Sequence, residues 1–232
     1  MKPRFVGRVG LADVVTIANA AVGFLATVAA TVNITLAARL ILLAAIADAL
    51  DGVVARRRGG TAVGEYLDSL ADVASFGVAP ASVAAVAILD VWSQSDWWGL
   101  ALAGTALFVA AAVTRLGLYT AYDSASAETE GVQTTLAATV LAAGVLAGFT
   151  NPVILSLLVI ILTALMLAPI TYPDLHAQDA IVMGAVQLAA IGLSGPFGHR
   201  IAGTLGEGFA FGLLFLSLAY LVLGPRFYWR RE

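Results

Sequence analysis

Two pairs of aspartates stand in sequence that is otherwise apolar enough to cross a membrane: Asp48 with Asp51, and Asp68 with Asp72. On a helix the first pair is spaced i,i+3 and the second i,i+4, so each pair shares a face. A short break around Gly59-Gly60 folds the two segments back as an antiparallel pair. Both pairs then lie at similar depth, somewhat above the cytoplasmic surface, and can face each other. Each aspartate at a helix centre costs roughly 2.5–3.5 kcal/mol to insert, so four central, unpaired ones would cost about 10–14 kcal/mol. Arg56, Arg57 and Arg58 offset part of that charge but can equally snorkel into water. Hard divalent cations answer the problem better, because magnesium, manganese and calcium prefer carboxylate oxygens and phosphates complete such sites. Gly52, Ala55 and Gly64 leave room beside the acids for a flat or bulky group. The same small residues alone would read as close helix packing. An acidic, metal-holding pocket of this kind suits phosphoryl or phosphatidyl transfer, in which metals neutralise a diphosphate and stabilise the leaving group. A carboxylate not fully committed to metal can take the proton of an attacking hydroxyl.

The elements that must position these residues are membrane helices. Of 232 residues, 60% are hydrophobic and 12% charged, against about 25% charged in soluble domains. A span needs about 20 apolar residues. Runs and breakers predict helices near 11–31, 34–57, 64–89, 98–121, 132–149, 152–171, 179–194 and 204–224, the seventh being the weakest. These form one integral membrane domain, 1–232, all-α and polytopic. Strands are not expected, since the runs do not alternate apolar with polar. The basic start Met1-Lys2-Pro3-Arg4 lacks a following small-residue cleavage site, so the first run reads as a retained helix. With both termini cytoplasmic, Lys2, Arg4, Arg8, Arg56, Arg57, Arg58, Arg226, Arg230 and Arg231 fall inside, with Arg115 toward that side. Only Arg39 and Arg200 fall nearer the outside, which is the positive-inside pattern. Trp92, Trp97 and Trp98 mark the outer interface, and Phe227, Tyr228 and Trp229 the inner one. There is no cysteine, which excludes disulfides and thiolate chemistry, and a net charge of −3 argues for no nucleic acid. Lys2 is the only lysine among twelve basic residues, and the loops are acidic, as in a salt-adapted organism such as a halophilic archaeon. A GC-rich genome leaves the same mark.

The aspartates and their neighbours resemble the signature of the CDP-alcohol phosphotransferases, D-x-x-D-G-x-x-A-R-x8-G-x-x-x-D-x-x-x-D. Asp48, Asp51, Gly52, Ala55, Arg56, Gly64, Asp68 and Asp72 occupy its fixed positions. Seven residues, Arg57 to Val63, separate Arg56 from Gly64 where the pattern has eight, a deletion confined to the connecting turn. The resemblance implies a homodimer with a six-helix core per protomer and two divalent ions, magnesium or manganese. It assigns Asp48, Asp51 and Asp68 to the metals and Asp72 to the general base and a further ligand. The nucleotide would rest against Gly52, Ala55, Arg56 and Gly64. Within the family, the run Leu67-Asp68-Ser69 through Ala79-Pro80 is similar to the serine-accepting phosphatidylserine synthases. So are Thr16, Asn19, Gly23 and Phe24 of the first span. Gly131-Val132-Gln133-Thr134-Thr135-Leu136-Ala137-Ala138 is similar to their G-L-P-T-P-A-A-A segment, with Gln133 and Leu136 as departures. The partners so implied are L-serine, membrane lipids and a CDP-linked lipid. The donor is CDP-archaeol if the organism is a salt-adapted archaeon and CDP-diacylglycerol otherwise.

Other residues admit two readings. Arg115, inside the fourth span, can hold the serine carboxylate or a donor phosphate bidentately, or can be a structural partner of an aspartate. Asn19 and Thr16 read as nucleotide donors or as interhelical glue. Glu65 reads as a solvated interfacial acid, and Asp13 as a helix-end charge or cap. His176 and His199 fall on opposite expected sides and offer no histidine metal site. The rival acceptors are glycerol phosphate, inositol phosphate or an amino-alcohol, and the phosphorylated ones would require basic residues that the distant spans barely contain. A cation transporter would require acids or broken helices along a through-route, which spans four to eight do not offer.

Overall fold

The computed structural model describes residues 7–123, 128–173, 175–195, 198, 200–201 and 203–228. Lys2, Arg4, Asp174, Pro196, His199, Trp229, Arg230 and Arg231, on which part of the topology and loop reading rests, lie outside the described residues. The helices are α1 (Leu11–Ala30), α2 (Ile34–Arg58), α3 (Gly64–Asp72), α4 (Ala79–Trp92) and α5 (Trp98–Leu118). They continue with α6 (Thr134–Leu146), α7 (Pro152–Met166), α8 (Ala177–Leu193) and α9 (Leu205–Phe227). A π-helical segment, Val73–Val78, joins α3 to α4 without a break, so Gly64–Trp92 runs as one rod. Another, Tyr119–Asp123, extends α5. Among the described residues, four rods are long and apolar enough to cross a bilayer: Leu11–Ala30, Gly64–Trp92, Trp98–Tyr122 and Leu205–Phe227. The chain is thus an α-helical membrane protein.

One expectation fails. Residues 128–130 and 171–173 form a two-stranded antiparallel ribbon, β1 (Glu128–Glu130) and β2 (Thr171–Pro173), with Thr129 opposite Tyr172. The helices expected over 132–149 and 152–171 are accordingly shorter. Hydropathy registers that these ends are apolar but not where their backbone groups find partners. Here Gly131 N–H donates to the Ile170 carbonyl at 2.9 Å and Val132 N–H to that of Leu165 at 3.0 Å. Non-helical backbone of this kind is tolerated where protein surrounds it. Gly131 makes the turn possible: its φ is +73°, and a Cβ there would collide with the Met166 carbonyl.

The core forms around α6, whose residues from Leu136 to Leu146 are all buried. It packs on α2 and α9, with α7, α5 and α4 completing the enclosure. Between α1 and α2 the contact is alanine-rich, including Ala26, Ala30, Ala37 and Ala38, which lets the backbones approach without large side chains. α1 also closes on the π-helical segment at Gly23, where a Cβ would lie 2.7 Å from Ser75 Cα. Polar side chains bridge helices by bonding backbone. Arg39 Nε donates to Ile191 O at 2.8 Å, and Gln187 Nε2 to Leu42 O at 2.6 Å. The ribbon is latched to α9 by Tyr172 Oη donating to Leu221 O at 3.0 Å and Tyr220 Oη to Pro173 O at 2.5 Å.

Candidate active site

Asp48 comes from α2, and Asp68 and Asp72 from α3. One carboxylate oxygen from each lies within 4.8 Å of the others. The α2–α3 turn therefore does what the spacing predicts for these three. Asp51 is not part of this cluster. At about 100° per residue, positions i and i+3 diverge by about 60°, enough to send the two α2 acids into adjoining cavities. One cavity, of about 340 Å³, is lined by Asp48, Arg56, Asp68, Asp72, Arg115 and the start of α6. The other, of about 520 Å³, is lined by Asp51, Gly52, Ala55, Gly64, Thr16 and Glu65. Asp68 and Tyr119 line both and form the shared wall.

Both acids of α2 are held by a neighbour. Thr16 on α1 donates its hydroxyl to Asp51 Oδ2 at 2.5 Å, buried between the helices. Thr135, at the start of α6, hydrogen-bonds Asp48 through its side chain. Asp72 is buried, and its Oδ1 has no hydrogen-bond partner among the described residues. Three close carboxylates and an unpartnered buried oxygen are unfavourable for the protein alone. An all-oxygen donor set of this kind suits a hard divalent cation, so the residues present fit such an ion.

Arg115 projects from the last turn of α5, buried, and its Nη2 donates to Thr129 Oγ1 on β1 at 3.0 Å. Its guanidinium carbon lies 5.8 Å from the centre of the Tyr119 ring, and its charge acts on Asp72. Arg56 is exposed and lines the three-aspartate cavity, whereas Gly52, Ala55 and Gly64 line the other. The expected nucleotide residues are thus divided between the two. Glu65 is exposed at the rim, as a solvated acid should be. Asp13 acts as a cap: its Oδ2 accepts from Gly10 N at 2.7 Å and from Thr61 Oγ1 at 2.8 Å.

Asn19 lines neither cavity. It is fully buried against the π-helical segment, its backbone carbonyl accepts from Ser75 Oγ at 2.9 Å, and both amide atoms lack partners among the described residues. Thr16 proves to be the interhelical bond rather than a free donor. Sequence reasoning missed Tyr119, Thr129 and the hydrogen bond from Thr135. Only Thr135 carried a signal, through its place in the segment starting at Gly131. The other two depend on a strand and a helix extension that periodicity does not reveal.

The profile of the family described as CDP-alcohol phosphatidyltransferase matches residues 9–191. An archaetidylserine synthase of Methanothermobacter thermautotrophicus is 28% identical over 176 residues, covering 74% of this chain and 73% of that protein. A CDP-diacylglycerol–serine O-phosphatidyltransferase of Methanocaldococcus jannaschii is 44% identical over 72 residues, 31% of this chain and 33% of that protein. Since the match runs from the residues before α1 into the last turn of α8 and encloses the clustered aspartates, this membrane enzyme belongs to the CDP-alcohol phosphatidyltransferase family.

Proposed function

We propose that the enzyme transfers a phosphatidyl-type group from a CDP-linked lipid, CDP-archaeol or CDP-diacylglycerol, to the hydroxyl of L-serine, releasing CMP. The observation that carries this reading is the convergence of Asp48, Asp68 and Asp72 on one cavity with Arg115. The names of the two relatives, both built on serine, support the acceptor. In this reading two divalent ions, magnesium or manganese, bound by Asp48, Asp51, Asp68 and Asp72, supply charge neutralisation of the diphosphate and of the departing CMP. Asp72 takes the proton from the serine hydroxyl. The serine oxygen forms a bond to the lipid-bearing phosphorus as the bond from that phosphorus to the CMP oxygen breaks. Gly52, Ala55 and Gly64 border the roomier cavity and seat the nucleotide, with Arg56 reaching its phosphates from the exposed side. The N-terminus of α6 opens on the small cavity through Gln133, Thr134 and Thr135 and has no side-chain cap, so its N–H groups are available to phosphate. Eight crossings, both termini cytoplasmic, a six-helix core and a homodimer complete the proposal.

The test supplies purified enzyme with each CDP-lipid and labelled serine, with and without magnesium or manganese, and follows CMP and labelled lipid together. Equal, metal-dependent yields of the two are expected. CMP release that ignores serine but responds to glycerol 3-phosphate or inositol phosphate would replace the acceptor.

A further inference from the structure

Most of the charged groups lining the small cavity have a place in the proposed chemistry: Asp48, Asp68 and Asp72 as the acidic cluster, Arg56 on the nucleotide side. Two charged residues remain, Arg115 and Glu128, one of each sign. Both are tied to β1. Thr129 accepts the guanidinium bond from Arg115 at 3.0 Å, with both residues buried. Glu128 is the preceding residue, one strand rise of about 3.3 Å away, and is exposed. Its side chain makes no hydrogen bond or ion pair among the described residues. The ribbon holding this arrangement is fixed twice to α9, through Tyr172 and Tyr220.

We infer that β1 is the element that reads the acceptor as a zwitterion: Arg115, held in place by Thr129, receives the α-carboxylate, and Glu128 receives the α-ammonium. An α-amino acid carries its two charges on one carbon, so its subsite must present a cation and an anion side by side. Arg115, held from α5 by Thr129, and Glu128 on β1 both line the small cavity and present the two charges to it. Thr129 is a positioning residue here, acting through Arg115, while Arg115 and Glu128 touch the substrate. This inference rests on the serine reading above and deepens it.

The experiment compares three acceptors on intact enzyme with saturating CDP-lipid: L-serine, 3-hydroxypropionate, which lacks the ammonium, and ethanolamine, which lacks the carboxylate. Wild-type enzyme should strongly prefer serine. Glu128→Gln should raise the serine KM about tenfold, the worth of one charge-assisted hydrogen bond. It should leave kcat and the donor KM unchanged and cut the preference over 3-hydroxypropionate by a similar factor. Thr129→Val should instead cut the preference over ethanolamine, with Thr129→Ser restoring it. If wild-type enzyme uses serine but Glu128→Gln leaves the preference over 3-hydroxypropionate within about twofold, well under one such bond, the zwitterion subsite is wrong and the serine reading stands. A donor KM that rises as much as the serine KM also overturns it. Wild-type enzyme inactive with serine overturns both readings together.

Discussion

The two halves of the chain differ in where they bury charge. From α1 to α5, polar side chains meet one another: Thr16 with Asp51, Thr61 with Asp13, Ser69 with Thr120. All the buried Asp, Glu, Lys and Arg residues among those described, Asp13, Asp51, Asp72 and Arg115, lie there. From the ribbon to α9 the buried polar residues are Thr129, Thr134, Thr139, Gln187 and Ser217, none of them charged. There the buried long contacts include several that end on backbone carbonyls, as from Gln187 to Leu42, Tyr172 to Leu221 and Tyr220 to Pro173. A side chain bonded to a carbonyl fixes a helix without adding charge to a low-dielectric interior. The first half concentrates chemistry at a cost in stability. The second half supplies the frame and reaches the chemistry through β1 and the start of α6, which line the small cavity, with Thr135 on Asp48 and Thr129 on Arg115.

Given that division, substitutions in the two halves should separate activity from stability. The largest effect is expected at Asp72. Removing a general base typically costs about 10²–10⁴ in rate, so Asp72→Asn should lose nearly all serine-dependent CMP release. Its thermal midpoint in detergent with chelator should hold or rise, because one of three crowded acids has become neutral. A midpoint that falls with activity would mean the cluster also holds the fold together, and the division would go. Asp48→Asn and Asp68→Asn should behave alike.

Next in size is Gly131→Ala, in the frame. The left-handed φ and the obstructing Met166 carbonyl leave no room for a methyl group, so the loss should reach about 2–3 kcal/mol or more. The thermal midpoint should drop clearly, while the molecules that remain folded turn over at the normal rate per site. A collapse of kcat at an unchanged midpoint would show that the ribbon takes part in chemistry and not only in support.

The same division explains what could be read from sequence. Asp48, Asp68 and Asp72 were legible because charge in an apolar run is conspicuous and helical spacing converts directly into a shared face. All the apolar runs became helices for the same reason. Asp51 shows where the rule stops, since a shared face leaves about 60° between i and i+3, and packing against Thr16 decides which cavity receives the side chain. The ribbon was illegible because Glu128-Thr129-Glu130 and Thr171-Tyr172-Pro173 are three residues each. No periodicity develops over that length, and partners some forty positions apart leave no local mark. Asn19 was legible as an oddity in an apolar helix. Its burial against the π-helical segment depends on Gly23 letting α1 close on Ser75.

The smallest effect should come from Tyr220→Phe, which bears most directly on how the halves communicate. The phenyl ring keeps the edge-on packing against Tyr228 at 5.4 Å and the tilted contact with Tyr172 at 6.1 Å. The bond to the Pro173 carbonyl is lost, worth about 1 kcal/mol of stability. β2 stays attached through Tyr172 and through its pairing with β1, so the ribbon should loosen rather than detach. Arg115 is then held by a less rigid Thr129, and the serine KM should rise by about twofold, since only a fraction of one hydrogen bond is transmitted. The donor KM and kcat should not change, because among the described residues none of the ribbon lines the roomier cavity, and Thr129 bonds Arg115 rather than Asp72. Steady-state kinetics on both substrates measure this directly. A change in kcat of the size seen at Asp72 would mean that α9 governs the base itself, and the frame could no longer be distinguished from the chemistry it surrounds.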